Sequence, residues 1–296
     1  MASLESLRKV SFIKYLSVLI LLAVNYSISA QESTIYWQTD HRPPASILHG
    51  PRQGEGYIDR IRNTLINQLP QYQHINTVSA LDTLFEDMER DKNICHPLLF
   101  VTEQRKKHAY FSIPVTITPS IRVVMKADLA QSLSLEEPID LEQIFTSQRT
   151  FATIKGRSYG KFIDKAISKQ HNNYSHAKIS VTDNTRLFKL LARDRVDFTF
   201  TFPFELNYYQ KYTNDTQFKA FTITGLSDYT LGSVACTKNA WGKSVINNVN
   251  KVLLQQRQKE NHIPTMNYWW PEESKKDAFN RFYQDVFLKS KVNSLK

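Results

Sequence analysis

The chain has 296 residues, 41% of them hydrophobic, which is enough for a sizeable core in one large domain or two of roughly 100–150 residues. Eight glycines and eleven prolines exclude a collagenous or low-complexity chain, and 22% charged residues with 12% aromatics is not a disordered composition. Two cysteines exclude a disulfide-dense scaffold and an all-cysteine zinc site, and the formal net charge of +10 comes with no nucleic-acid-binding motif.

Arg8, Lys9 and Lys14 make a positive start, Tyr15 to Val24 is apolar, and Asn25 to Ala30 ends in small residues. This is the pattern of a cleavable secretory signal peptide over residues 1–30, the run being shorter than the ~20 residues of a membrane helix. Its removal would leave a mature chain starting near Gln31 with a net charge of about +8. Neither cysteine lies near the cleavage point. In an oxidising compartment Cys95 and Cys236, an even pair, are expected to form one disulfide; two separate buried thiols are the alternative.

Along the mature chain, Ser33 to Trp37 reads as a strand and Asp40 to Pro44 as a turn. Apolar residues at Ile58, Ile61, Leu65 and Leu69 have helical spacing, closed by Pro70. A strand over Tyr72 to Val78, a helix over Ala80 to Arg90 and an apolar strand over Cys95 to Val101 follow. Further strands are expected at 121–125, 151–154, 179–181, 197–202, 219–223 and 231–236. Helices are expected at 141–145, 161–167, 185–193, 240–256 and 274–288. Strands alternating with helices predict an α/β protein with mainly parallel sheets.

The segment Leu98 to Pro114 contains Thr102-Glu-Gln-Arg105 followed by Phe111-Ser-Ile-Pro114. It resembles the Thr-x-x-Arg…Phe-Ser-x-Pro signature of bacterial periplasmic solute-binding proteins of family 3, the amino-acid-binding type. Asp40-His-Arg-Pro-Pro44, Gly56-Tyr-Ile-Asp59, Gly156-Arg-Ser-Tyr-Gly160 and Arg195-Val-Asp197 resemble further pieces of that family, in its order. Details around Cys95, Tyr72 and Ala235 to Trp241 are similar to a little-characterised subgroup rather than to the transport receptors. The resemblance implies the type II periplasmic-binding-protein fold: two α/β lobes joined by two hinge strands, with a ligand cleft between. Lobe one would hold residues 31–119 and 226–296, and lobe two residues 120–225. Both cysteines then fall in lobe one.

The resemblance makes Arg105 the arginine that grips a ligand carboxylate with its planar fork; a solvated charge beside Lys106 and Lys107 is the alternative. Arg157 and Ser158, at a helix start, could hold an anion, or Ser158 could only cap the helix. Arg42 stands where the family often has a stacking aromatic. Trp37 reads as core, and Trp269 and Trp270 as packing against lobe one. The family's acidic partner for a ligand ammonium is replaced by Phe202, with Glu205 three residues on as a substitute or a helix-start carboxylate. Phe100, Phe202 and Tyr159 would give aromatic contacts. The ligand implied is therefore a small polar, anionic molecule rather than a plain α-amino acid, passed to a membrane importer or a sensory receptor. A monomer without cofactor, metal or nucleic acid is expected. The readings kept beside it are an accessory or interaction protein for a membrane receptor and a lyase or hydrolase on the same fold. No nucleophile motif supports an enzyme, and His96, His108 and His171 stand isolated in the sequence.

Overall fold

The computed structural model describes residues 34–146, 148–173, 177–213, 217–259, 262 and 267–290. The expected leader lies outside them. Ten strands form two five-stranded sheets. The first sheet contains Thr34–Thr39 (β1), Gln73–Val78 (β2), Ile94–Leu99 (β3), Ala109–Pro119 (β4) and Tyr229–Thr237 (β10), in the order β2-β1-β3-β10-β4. The second contains Arg122–Lys126 (β5), Phe151–Ile154 (β6), Lys178–Val181 (β7), Phe198–Thr201 (β8) and Phe218–Phe221 (β9), in the order β7-β6-β8-β5-β9. These sheets are the cores of lobe one and lobe two.

The expected α/β class and two-lobe fold are present, but the sheets are mixed rather than mainly parallel. β1–β2, β1–β3, β6–β7 and β6–β8 are parallel; β10 runs antiparallel to β3 and β4, and β5 antiparallel to β8 and β9. The antiparallel strands are those next to the lobe crossings. Chain passes from β4 to β5 and returns from β9 to β10, and Ser120 N–H donates to the Asp228 carbonyl at 2.8 Å where the two passages run side by side. A chain that leaves a lobe on one strand and re-enters beside it must run in the opposite sense, which makes those pairs antiparallel.

The helices follow the expected positions with small shifts at their ends: Tyr57–Gln68 (α1), Leu81–Glu89 (α2), Leu141–Ile144 (α4), Lys161–Asn173 (α5), Asn184–Ala192 (α6) and Ala240–Gln256 (α8), save that α5 runs six residues past its expected end at 167. Ala127–Ser132 (α3) was not expected, and Pro203–Thr213 (α7) only in so far as Glu205 could be a helix-start carboxylate, which it is. The long helix expected at 274–288 is broken into a 3₁₀ turn, Pro271–Lys275, a short helix, Asp277–Phe282 (α9), and a π turn, Tyr283–Phe287. Tyr229, Phe279, Tyr283 and Phe287 pack as one cluster on β4 and β10, so aromatic packing sets the path of this segment.

Each lobe has its own interior. Ile35, Trp37, Leu65, Ile113, Val234, Val245 and Val249 fill lobe one, confirming Trp37 as core. Cys95 and Cys236 sit opposite each other on β3 and β10 and are joined as the expected disulfide, Cα–Cα 4.1 Å, fully buried in this cluster. Lobe two is built on phenylalanines: Phe145, Phe151, Phe198 and Phe200 meet in offset and edge-to-face pairs 5.3–6.5 Å apart. That cluster continues across the cleft to Tyr57, Ile58 and Trp270 of lobe one.

Candidate functional site

The first wall of the cleft is the loop Asp40 to Ile47, and its position is fixed by the start of α1. Asp59, in the first turn, accepts hydrogen bonds from Ser46 Oγ at 2.6 Å and Ile47 N at 2.7 Å, and pairs with Arg62 at 3.4 Å. Tyr57 N and Ile58 N donate to the Pro44 and Ala45 carbonyls. Gly56 is needed here for closeness, since a Cβ would run into the Ala45 carbonyl oxygen and the Asp59 carboxylate. The Gly-Tyr-Ile-Asp motif therefore acts as a clamp on the loop that carries Arg42. Arg42 is 8% exposed; its nearest carboxylate is Asp40 at 3.6 Å, and its Nε is buried without a hydrogen-bond partner among the described residues.

Arg105 opens the 3₁₀ turn after β3 and is buried. Its Nη1 donates to the Phe100 carbonyl at 3.1 Å and its Nη2 to the Gly156 carbonyl of lobe two at 3.3 Å, and the guanidinium lies 5.2 Å from the Phe85 ring. Among the described residues it makes no ion pair, so burial pulls its pKa down to about 10, Asp164 opposing and Arg42 adding to the shift. The solvated alternative is thus excluded by geometry. Gly156 is one of the points where the lobes touch: its φ is +74° and a Cβ would lie 2.9 Å from Asp82 N, so both conformation and space call for glycine.

Lobe two supplies a neutralised wall. Arg157 Nη2 donates to Glu205 Oε2 at 2.8 Å in a pair that is almost wholly buried. Thr201 Oγ1 and Phe202 N donate to the same oxygen at 2.6 and 3.2 Å. Burial works to raise the Glu205 carboxyl, but the charge and hydrogen bond of Arg157, with Thr201, outweigh it and hold the group below the usual carboxylate range. For Arg157, burial works downward and Glu205 reverses it, so the guanidinium stays charged. Arg157 and Glu205, expected as separate ligand contacts, are each other's partner. Arg157 also lies over the rings of Tyr159 and Phe202 at 5.3 and 5.2 Å.

Ser158 is committed to the start of α5: its Oγ donates to Asp164 Oδ2 at 2.5 Å and accepts from Gly160 N at 3.2 Å. Tyr159, fully buried, accepts from Ile154 N at 2.8 Å and so serves lobe two rather than the cleft. Phe100 and Phe202 do face each other across the lobes, edge to face at 5.9 Å.

Arg42, Phe100, Arg105, Arg157, Ser158, Phe202 and Glu205 all border one interlobe cavity of about 50 Å³, with Tyr57, Thr116 and Thr118. That is room for roughly three to five water molecules. Arg42 Nε, Arg157 Nη1 and Thr118 Oγ1 on its walls are buried without partners among the described residues. The sequence reading missed Tyr57 and the two threonines; Tyr57 lies one residue from the glycine of a motif that was recognised.

The lobes are in contact around this cavity. Lys155 and Asp82 pair at 2.8 Å, Asn184 Nδ2 donates to the Pro43 carbonyl at 3.4 Å, and Arg52 Nη1 donates to Tyr212 Oη at 2.9 Å. Trp269 and Trp270 are not confined to lobe one. Trp270 stacks on Phe204 of lobe two at 4.4 Å, and Trp269 meets Tyr208 of lobe two at 5.5 Å. The segment carrying Trp269 and Trp270 therefore packs on both lobes.

No family model matches the sequence, and no curated protein sequence does. Solved structures do match over most of the chain. The substrate-binding protein of an amino acid ABC transporter superimposes with a TM-score of 0.61 at 18% identity, covering 80% of this chain and 98% of that one. An ancestral amino-acid-binding protein, a precursor of cyclohexadienyl dehydratase, gives 0.64 at 17%, covering 82% and 97%. A histidine kinase sensor domain with similarity to periplasmic binding proteins gives 0.65 at 12%, covering 82% and 97%. Two mixed sheets, two crossings and an interlobe cleft define the chain as having the type II periplasmic-binding-protein fold, that of the family 3 solute-binding proteins.

Proposed function

We propose that this protein is an exported solute-binding protein that captures a small anionic molecule between its lobes and presents it to a membrane importer or sensor. The single observation that carries the reading is the imbalance at the cavity. Arg157 is neutralised by Glu205, whereas Arg105 is buried on carbonyls alone and Arg42 has only a carboxylate 3.6 Å away. Among the described residues Arg42 Nε has no hydrogen-bond partner, and on the neutralised side Arg157 Nη1 has none either. A buried cation without a counter-ion is costly, and a bound carboxylate or phosphate would offset that cost.

Binding without chemistry is supported by the ionisable groups present. Glu205 is locked in its charged form, and burial with the nearby Arg42 and Arg105 holds His96 well below its usual range, its Nδ1 accepting from Leu98 N. Neither is poised near neutral pH as a proton donor and acceptor pair would be. The fold also serves both transport and sensing, as the amino acid transporter protein and the kinase sensor domain illustrate, so the importer and the sensor remain two forms of the same hand-over.

The test is native mass spectrometry of freshly purified protein to identify a co-purifying anion, followed by calorimetry with that molecule on two variants. Arg105→Ala is expected to weaken binding by about 2–5 kcal/mol, and Arg105→Lys to bind poorly because a point charge cannot reproduce the fork. Unchanged affinity in both variants would defeat the assignment.

A further inference from the structure

A second cavity of about 300 Å³ adjoins the first. It is bounded by His41 to Pro43 of lobe one and, in lobe two, by the start of α6 and one side of α7. Arg42 and Glu205 border both cavities and so form the partition between them. The volumes decide where the bulk of a ligand can go. Small-molecule sites usually span roughly 300–1,000 Å³; the chamber reaches that range and the central cavity does not.

The chamber's chemistry is specific. Tyr208 and Tyr212 lie 4.6 Å apart and border it with Tyr209, which is backed by the buried Phe188 at 4.4 Å, so the tyrosines give an aromatic wall for a planar group. Asn184, on the wall, is 7% exposed; its Nδ2 is fixed on the Pro43 carbonyl, which leaves Oδ1 buried with no partner among the described residues. That oxygen needs a donor. Arg42 Nε, on the partition, needs an acceptor. An amide supplies an N–H and a C=O in one plane, and an attached aromatic ring matches the tyrosines.

We infer that the chamber is a second subsite and that the ligand class is an aryl amide bearing a carboxylate: the acid group at Arg105 and Arg42 in the central cavity, the amide at the partition, and the ring in the chamber. This rests on the anion reading above and extends it to the rest of the ligand. The partition of Arg42 and Glu205 must shift for one molecule to span both cavities, since these two side chains stand between them.

The test uses three probes in calorimetry: acetate for the acid group alone, benzamide for the tail alone, and hippurate, which joins a carboxylate to a benzoyl amide. Hippurate is expected to bind at least tenfold more tightly than either fragment. Thr185 borders the chamber at an exposed position in the first turn of α6, so Thr185→Trp narrows the chamber without touching the core. It should remove the hippurate advantage and leave acetate binding unchanged; Asn184→Ala should reduce the advantage severalfold. If hippurate binds no better than acetate, or if Thr185→Trp leaves its affinity unchanged, the subsite is overturned. In that case an acetate affinity that still depends on Arg105 keeps the anion reading, and its loss of dependence removes that reading as well.

Discussion

The two sides of the cleft handle charge in opposite ways. Lobe one presents Arg42 and Arg105, one with a loosely placed carboxylate and the other with carbonyl oxygens only. Lobe two presents Arg157 already closed on Glu205, with Thr201 and Phe202 N completing the carboxylate's partners. Lobe one therefore has charge to offer, whereas lobe two has a finished electrostatic structure beside a set of rings. The interiors differ as well: the cluster around β1, β3 and β10 of lobe one is mainly aliphatic and cross-linked, whereas the cluster of lobe two that faces the cleft is built on phenylalanines. The lobe with the unneutralised arginines has the covalent tie between its first and its returning segment.

The largest expected effect breaks the lobe-two pair. Glu205→Ala leaves the Arg157 charge buried without a counter-ion, and unpaired buried charges cost about 3–5 kcal/mol. Urea denaturation should show this loss, and the double variant Arg157→Met with Glu205→Leu should recover most of it. Equal stability of the single and double variants would mean that lobe two does not depend on the pair's internal neutrality, and the contrast with lobe one would lose its basis.

The second effect concerns the cross-link. Cys95 and Cys236 are 141 residues apart in the chain and adjacent on β3 and β10. Replacing both with serine is expected to cost about 2–5 kcal/mol. Hydrogen exchange should place the loss in lobe one, with β6, β7 and β8 unchanged. A uniform loss over both lobes would show that the two interiors unfold as one unit.

The fold was legible because its punctuation is local. The spacing of Ile58, Ile61 and Leu65, the stop at Pro70, and the Ala240–Gln256 helix depend on periodicity that any amphipathic helix must show. The start of α7 was hidden for a physical reason. Phe204, Glu205 and Leu206 are buried in succession and tyrosines follow at 208, 209 and 212, because this helix is covered by more than one neighbour and so has no single apolar face. β4 was missed because Ala109 to Pro119 is buried along nearly all its length, and its threonines and prolines interrupt the alternation a strand is read by. The site residues were legible one by one, through motif resemblance, but their pairing was not. That Arg157 meets Glu205, 48 residues further on within lobe two, depends on how that lobe folds, and that Arg105 of lobe one meets Gly156 of lobe two, 51 residues further on, depends on how the lobes come together. No spacing in the chain records that.

Acidification should sharpen the comparison further. His96, on β3, is held well below its usual pKa by burial and by Arg42 and Arg105, and His262 is lowered to about 4 by burial and Arg257; both belong to the lobe-one side. A histidine kept neutral when folded takes up a proton more readily when unfolded. Its contribution is therefore complete above about pH 6.5 and is lost as pH falls towards the folded value, by no more than about 1.4 kcal/mol per pH unit for each group. Exchange measured between pH 7 and pH 5 is expected to loosen lobe one before lobe two. His96→Gln should flatten the profile, and an unchanged slope in that variant would move the acid sensitivity elsewhere.

The smallest effect bears on how the two sides stay together. Arg52 donates to Tyr212 of lobe two at 2.9 Å and to Tyr268 of the last segment at 3.0 Å, pairs with Glu55 at 2.7 Å, and lies 4.5 Å from the Trp269 ring. One partly exposed side chain thus links three parts of the cleft mouth, and Trp269 Nε1 adds a bond to the Glu55 carbonyl. Exposed ion pairs and ring contacts of this kind are each worth up to about 1 kcal/mol. Arg52→Ala should leave the urea midpoint nearly unchanged but raise hydrogen exchange at residues 208–212 and 267–270 severalfold, because it acts on the contact between lobes and not on either interior. Arg90→Ala is the matched control: Arg90 is exposed and, among the described residues, its one ion pair is with Asp87, within lobe one, at 3.9 Å. If both variants give the same exchange at the cleft mouth, Arg52 is a surface charge like Arg90, and the mouth is held by the rings of Tyr57, Phe204 and Trp270 without its help.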